Sequence, residues 1–183
     1  MKITLYRHAE PLVSDNDVIS GRDFISWVNK YNESGIKYIE VPDKKEHLVY
    51  SSNLARSYET GKLLGKKVIQ DSIFREAEIP LLSFPAIHLK AKYWLIIARL
   101  LWFLGVRKNC ESFFEAKKRA KQIADKIESI LQNSGRLVLV GHGFINIFIK
   151  KEFLKRNWSV SDKKYGNKYL KKLIIMNPTK RSS

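Results

Sequence analysis

Short apolar segments alternate along this chain with segments of helical periodicity, and this alternation constrains the fold more than any other feature. Strands are predicted where β-branched or apolar residues run between polar residues or glycines, at residues 2–6, 47–50, 67–70, 136–140 and 172–175. Helices are predicted at residues 22–34, 53–64, 111–132 and 143–154. Strands that alternate with helices favour an α/β fold with a mostly parallel sheet covered on both faces.

Polar residues near the predicted helix starts indicate where two of these helices begin. Ser52 or Asn53 is the predicted cap of the second helix, and Asn109 or Ser112 that of the long third helix. The buried face of the long helix is predicted from apolar residues at helical spacing, namely Phe114, Ile123, Ile127 and Leu131.

The length and the cysteine content narrow the class of protein. A chain of 183 residues predicts a single domain over residues 1–183 with one core. The one cysteine, Cys110, excludes an internal disulfide framework, and no Cys/His spacing is that of a zinc site. Neither a secretory signal nor a run of about 20 apolar residues is found. We therefore expect a cytoplasmic protein without a bound metal.

The chain is strongly basic, with a formal net charge of +16. The excess is uneven, since residues 150–183 contain eleven Lys or Arg and two acidic residues. Such charge attracts anions in general. No RNA- or DNA-binding motif accompanies it, so we predict no specific nucleic-acid partner.

Three polar motifs each follow a predicted strand. "RHAE" begins at Arg7, "SSNLAR" ends at Arg56, and "GHG" is centred on His142. Ligands of parallel sheets bind beyond the carboxyl ends of the strands, so we expect the three motifs to converge at one edge.

The residue types in these motifs suit phosphoryl transfer. The arginine fork binds phosphate oxygens in pairs, and helix N-termini offer free N–H groups to anions. A neutral imidazole can attack phosphorus. Two arginines, two histidines and helix N-termini around one point therefore indicate covalent phosphoryl transfer.

The segments "LYRHAEP", "VYSSNLARSYETGKLLG" and "LVLVGHGFINIFI" resemble, in order, the three signatures of the histidine phosphatase superfamily. This group includes cofactor-dependent phosphoglycerate mutases and bacterial phosphohistidine phosphatases. The resemblance spans roughly residues 1–150 and implies a three-layer α/β/α sandwich. It also implies chemistry that needs neither a metal nor another cofactor.

The resemblance assigns roles to individual residues. His8 would be the nucleophile that becomes phosphorylated. The phosphoryl oxygens would be held by Arg7, Arg56, His142 and the helix start at Gly143. The stretch "IFREAEIP" resembles the acid-bearing loop of the family and selects Glu76 as the general acid, with Glu78 as the alternative.

Some positions depart from the family pattern. Ala9 stands where many members have glycine, and Gly141 where serine is common. Gly21-Arg22 matches a Gly-Arg pair that can reach the substrate, but the residues after it differ from the usual sequence. Arg22 is therefore a weaker candidate for substrate binding.

The apolar segment "YWLIIARLLWFLG" at residues 93–105 belongs to a variable cap predicted at about residues 80–108. On a helix its apolar residues cover most of the surface. We expect it to pack beside the pocket. Because the equivalent region varies within the superfamily and shapes the substrate site, the resemblance implies that it governs specificity. An interfacial helix at a membrane is the alternative.

Together these features predict a phosphatase that acts on a phosphorylated small molecule or phosphoprotein. Phosphoglycerate mutase-like transfer is the alternative within the same fold. A catalytically idle protein that binds anions or a membrane is the alternative from another class. The sequence does not specify the substrate or the oligomeric state.

Overall fold

The computed structural model describes residues 1–40, 46–165 and 169–177. Within these ranges the strands β1 to β8 are, in chain order, Lys2–Arg7, Val18–Ser20, Glu46–Ser51, Gly65–Gln70, His88–Lys90, Arg136–Gly141, Ser159–Tyr165 and Lys172–Met176. The helices α1 to α5 are Gly21–Glu33, Ala55–Leu64, Ala91–Phe103, Phe113–Ser134 and Gly143–Lys155. A short 3₁₀ helix lies at Ser72–Phe74.

Six of the strands form one sheet in the order β4-β3-β6-β1-β8-β7. Neighbouring strands from β4 to β1 pair in parallel, and β8 runs antiparallel to both β1 and β7. The sheet is thus mostly parallel, which confirms the predicted fold class.

Alternate residues of the buried central strands supply the two faces of this sheet. Ile3 and Leu5 of β1 pack with Leu139 of β6 in the larger core cluster, which α4 and α5 cover. Val49 of β3 and Val140 of β6 belong to the cluster on the opposite face, where α2 lies. The helices therefore cover both faces, as a three-layer α/β/α sandwich requires.

The five predicted strands and four predicted helices are all present, with ends shifted by at most about two residues. Three strands were missed. Two of them, β2 and β5, are three residues long, and β7 carries the largely polar sequence "SVSDKKY". Such segments lack the apolar run or clear alternation that predicts a strand.

Local details correct two of the predictions. Leu54 is the N-cap of α2 and makes no side-chain cap bond, so neither Ser52 nor Asn53 caps this helix. For α4 the predicted Ser112 is the cap, in a capping box with Glu115. Phe114 lies in the first turn of α4 and is 77% exposed, so its predicted place in the core is wrong.

The segment between β4 and α4 forms a cap over the sheet edge. Its strand β5 pairs with β2, the strand that follows the loop after β1. Trp94 of α3 donates from Nε1 to the carbonyl oxygen of Ile19 at 3.0 Å, and its ring stacks on Phe24 and Phe84. A Cβ on Gly21 would lie 2.7 Å from the backbone nitrogen of Phe84, so this close approach requires glycine.

Among the described residues, no helix combines the length and apolar character that crossing a bilayer needs.

A buried residue and an exposed residue of α4 allow a matched test of how this helix packs on the core. Replacing fully buried Ile127 by alanine should lower the free energy of unfolding by about 2–5 kcal/mol, because it leaves a cavity. Phe114→Ala removes a larger side chain from the same helix but should cost about 0.5 kcal/mol or less, since the ring is mostly exposed. Urea unfolding measures both. Similar losses in the two variants would contradict this placement of α4.

Candidate active site

The register between β1 and β6 brings the first and third motifs together. Arg7 lies opposite Gly141 in the parallel ladder, so the next residues along the two strands are His8 and His142. The N–H of His8 donates to the carbonyl oxygen of Gly141 at 3.1 Å. The two imidazole rings lie with their centroids 5.1 Å apart.

His8 is held in one orientation and kept neutral. Its Nδ1 lies 2.7 Å from the carbonyl oxygen of Ala9. A carbonyl only accepts, so Nδ1 carries the proton and Nε2 has a free electron pair. The side chain is 2% exposed, and burial together with the charges of Arg56 and Arg7 lowers its pKa to about 3. The ring is therefore neutral at neutral pH, with the proton on Nδ1 and an electron pair on Nε2 that is available for nucleophilic attack.

His142 is oriented by Ser52, from the second motif. Its Nε2 lies 2.7 Å from Ser52 Oγ, which also accepts the N–H of Leu54 at 3.3 Å. The hydroxyl proton of Ser52 can then go to Nε2, and Nδ1 carries the ring proton. Nδ1 is buried and has no hydrogen-bond partner among the described residues. Burial, followed by the charge of Arg56, lowers the pKa of His142 well below its usual value.

Arg56 is a buried cation without a carboxylate partner. It is 2% exposed, and its Nη1 donates to the Tyr31 carbonyl oxygen at 3.1 Å and to Asn32 Oδ1 at 3.3 Å. Its Cζ lies 4.5 Å from the centre of the Tyr31 ring. No ion pair to it is formed within the described ranges, and its Nε has no partner there. A buried charge without a counter-ion is costly, so this arrangement favours a bound anion.

The chain segment before β8 contacts the first motif. The N–H of Arg7 donates to the carbonyl oxygen of Lys171 at 3.0 Å, and its guanidinium lies 5.2 Å from the centre of the Tyr169 ring. The Tyr169 ring also lies 6.0 Å from that of His8. Tyr169 therefore forms one side of the site, next to both residues.

Glu76 reaches the site from the loop after the 3₁₀ helix. Its carboxylate accepts the N–H groups of Phe144 and Ile145 in the first turn of α5, at 2.9–3.1 Å. A Cβ built on Gly143 would lie 3.5 Å from Glu76 Oε2 and 3.8 Å from Arg7 Cζ. The carboxylate and the arginine thus meet at the start of α5.

Glu78 takes up a different position. Its carboxylate accepts the N–H of Glu111 at 3.2 Å, in the segment before α4. Both glutamates line the same cavity, but only Glu76 contacts the start of α5.

Arg119 of α4 supports the Glu76 loop from behind. Its Nη1 donates to the carbonyl oxygens of Ile73 and Arg75 at 2.7 and 2.8 Å. It also forms an ion pair with Glu111. Arg119 stands in the basic run at 117–119, a pattern typical of a solvated helix face, yet its side chain is mostly buried.

A cavity of about 890 Å³ opens above these groups. Among the predicted site residues it is lined by Arg7, His8, Arg56, Glu76 and Gly143. His142 lies beneath them and is fully buried. Arg22 is exposed in the first turn of α1 and does not line the cavity, so the structure does not bring it to this site.

The glycine at position 141 has a steric reason in this chain. A Cβ there would lie 2.2 Å from Oδ1 of Asn146, whose Nδ2 donates to the carbonyl oxygen of Tyr6 at 3.0 Å. The Asn146 side chain therefore fills the space that a serine at 141 would need.

Three residues beside the catalytic candidates were missed as parts of the site. Ser52 lies inside the second motif, so its closeness to His142 could have been expected. Tyr31 comes from the last turns of α1 and Tyr169 from the basic C-terminal stretch, far from any motif. No local signal in the sequence marks those two tyrosines.

Comparison with known proteins identifies relatives of this architecture. A model of the histidine phosphatase superfamily (branch 1) matches residues 38–166. That range includes the second and third motifs and excludes the first. No curated protein is similar enough in sequence to match the chain.

Solved structures are similar over nearly the whole chain. A protein from Escherichia coli K-12, assigned as an alpha-ribazole-5'-P phosphatase, matches with a TM-score of 0.55 and 12% identity, covering 97% of this chain and 96% of its own. The protein of the open reading frame Rv3214 from Mycobacterium tuberculosis matches with a TM-score of 0.53 and 12% identity, covering 96% of both chains. At this identity the similarity shows a shared fold.

The low pKa of His8 predicts acid-sensitive folding. In the unfolded chain a histidine has a pKa near 6.5, against about 3 in the folded state, so the unfolded state binds more protons between these values. The free energy of unfolding should therefore fall with decreasing pH, by up to about 1.4 kcal/mol per pH unit from His8 alone. His8→Gln should reduce this slope by that amount in urea unfolding between pH 7 and pH 4.

Ile127→Val, a buried change without a titratable group, is the control and should keep the wild-type slope. Equal slopes in wild type and His8→Gln would contradict the buried, neutral state of His8.

Proposed function

Because the chain belongs to the histidine phosphatase superfamily, we propose that it hydrolyses phosphate monoesters through a phosphohistidine at His8. The observation that carries this proposal is the state of His8, whose Nδ1 bears the proton and faces Ala9 while Nε2 bears none, close to the buried Arg56, which forms no ion pair within the described residues. A nucleophile next to an anion-binding group is what covalent phosphoryl transfer needs.

In the first step Nε2 of His8 attacks phosphorus, and the bond from phosphorus to the ester oxygen breaks. The Nδ1 proton stays on the ring and remains bonded to the Ala9 carbonyl oxygen. Charge on the transferring group spreads over its oxygens, and fixed donors stabilise it without moving. We assign this role to Arg7, Arg56, the Nδ1–H of His142 and the amide of Gly143.

The leaving oxygen takes a proton as the ester bond breaks. We assign this proton to the carboxylic acid form of Glu76, which borders the cavity near Arg7 and Gly143. In the second step Glu76, now a carboxylate, takes a proton from water while the water oxygen attacks the phosphohistidine. The N–P bond breaks, and inorganic phosphate and the starting enzyme are formed.

The proposed intermediate can be detected directly. Wild-type protein quenched during turnover of a ³²P-labelled phosphate monoester should retain label that is stable in base and released in acid, as expected for a phosphorylated imidazole. His8→Ala should retain no label and lose turnover by a factor of at least about 10⁴, because it removes the imidazole that attacks phosphorus and carries the phosphoryl group.

His88→Ala is the matched control, since His88 is an exposed histidine outside the cavity and its loss should change neither readout. Full labelling and turnover in His8→Ala would contradict the proposal. Isomerisation of a phosphoglycerate without release of phosphate would instead support a mutase.

Substrates with different leaving groups can show which of the two glutamates of the acid loop is the general acid. Glu76→Gln should lower kcat for an alkyl phosphate about 10²–10⁴-fold, because the poor leaving group needs the proton. It should affect p-nitrophenyl phosphate much less, since that leaving group departs as a stable anion. Glu78→Gln is the control and should leave both rates within about threefold. The reverse pattern would assign the acid to Glu78.

A further inference from the structure

The cavity extends well beyond the groups that would hold a phosphate, and this outer part is apolar. From the residues of its walls we propose that the preferred substrates are phosphate monoesters of apolar alcohols. Such substrates are amphiphiles that carry an aliphatic chain, and they differ in this from polar metabolites. This inference rests on the proposed phosphatase function and adds the substrate class to it.

The outer cavity is lined by aliphatic side chains that can contact the hydrocarbon chain of a substrate. At about 890 Å³ the cavity is near the upper end of the roughly 300–1,000 Å³ usual for ligand pockets. A phosphate and a three-carbon chain would leave most of it unfilled. The wall is built from three helices, α1, α3 and α5, and the loop that contains Glu76, with aliphatic residues that include Val28, Ile79, Leu95, Ile96, Leu100 and Ile147.

The polar side chains of the outer cavity are largely committed to the protein. Arg99 donates to the carbonyl oxygens of Glu78 and Ala77 at 3.2 and 2.9 Å and lies 4.1 Å from the centre of the Phe144 ring. Asn32 accepts from Arg56, and Glu78 accepts from the backbone before α4. The hydroxyls of a sugar would therefore find few partners here, at a cost for each one left unpaired.

The other polar residues of the lining include Tyr31, Arg75, Lys108, Asn109 and Cys110. Two of these, Arg75 and Lys108, are cations. They would attract the phosphate of any ester and do not select for a polar alcohol.

The apolar wall continues onto the surface of the protein. Ile96 and Leu100 both line the cavity and are more than half exposed. Phe103 follows at a spacing that places it on the same side of α3, Leu104 comes directly after the helix, and both are exposed. An aliphatic chain longer than the cavity could leave along this exposed strip. The substrate would then cover the strip. Exposed apolar patches often mark binding sites, and this role would account for the exposure of these side chains.

A series of n-alkyl phosphates tests the inference. Ethyl, butyl, hexyl and octyl phosphate share the same leaving-group chemistry, so differences in kcat/KM report binding of the chain in the transition state. Below the micellar concentration of each ester, kcat/KM should rise by up to about fourfold for each methylene that the cavity buries.

Leu100→Gln should lower the octyl-to-ethyl ratio of kcat/KM by about tenfold, since it places an amide where the chain passes. Leu154→Gln is the matched control, because Leu154 is also an exposed leucine on a helix, 44% exposed, but does not line the cavity. It should keep the wild-type ratio. Neither change buries a polar group, so both variants should fold.

The outcomes separate this inference from the function on which it rests. Turnover of all four esters through a phosphoenzyme with no rise in kcat/KM would overturn the inference and leave the phosphatase in place. A greater kcat/KM for a sugar phosphate than for octyl phosphate would also overturn it. Failure of every ester to be hydrolysed or to label His8 would overturn the proposed function itself.

Discussion

The parallel pairing of β1 with β6 is the constraint on which the site depends. Because Arg7 lies opposite Gly141, each strand delivers its histidine at the same level of the sheet. The neighbouring pairing of Ser51 with Val140 brings the second motif to the same level and sets Ser52 against His142. A slip of one residue in either ladder would turn these side chains to the opposite face. The strand register that packs the core of the sheet therefore also assembles the site.

Buried positive charge is the second property that organises this region. Arg56 forms no ion pair with a carboxylate in the described part of the chain, although Glu76 acts on it electrostatically, and its field helps to keep both histidines neutral. The first turn of α5 would attract an anion, and the carboxylate of Glu76 already bonds two of its amides. The carboxylate of Glu76 is thus an internal anion next to the place where the phosphate of a substrate is proposed to lie. A bound phosphate would supply the missing negative charge around Arg56.

The sequence predicted those parts of the site that depend on local pattern. Apolar strands that are followed directly by polar motifs can be recognised in the sequence. The order of the strands in the sheet then brings His8, Arg56 and His142 together. Contacts between distant segments leave no such trace. Tyr169 reaches His8 from more than 150 positions away, and Arg119 appears in a run of charges that resembles an ordinary solvated helix face. Arg22 had a matching dipeptide, but the start of α1 points it into solvent.

Two sides of helix α3 in the cap have different roles: one side attaches the cap to the rest of the protein, and the other lines the cavity. Trp94 and Ala98 anchor one side of α3 in a small core with α1, and the β2–β5 pair fixes the start of the helix. The opposite side of α3 supplies Ile96 and Leu100 to the cavity. Substitutions at these two positions would reshape the cavity while leaving the anchor and the histidines unchanged. The anchored helix is therefore a place where a few substitutions could change which ligands the cavity accepts during evolution, while the fold and the residues at the strand ends stay the same.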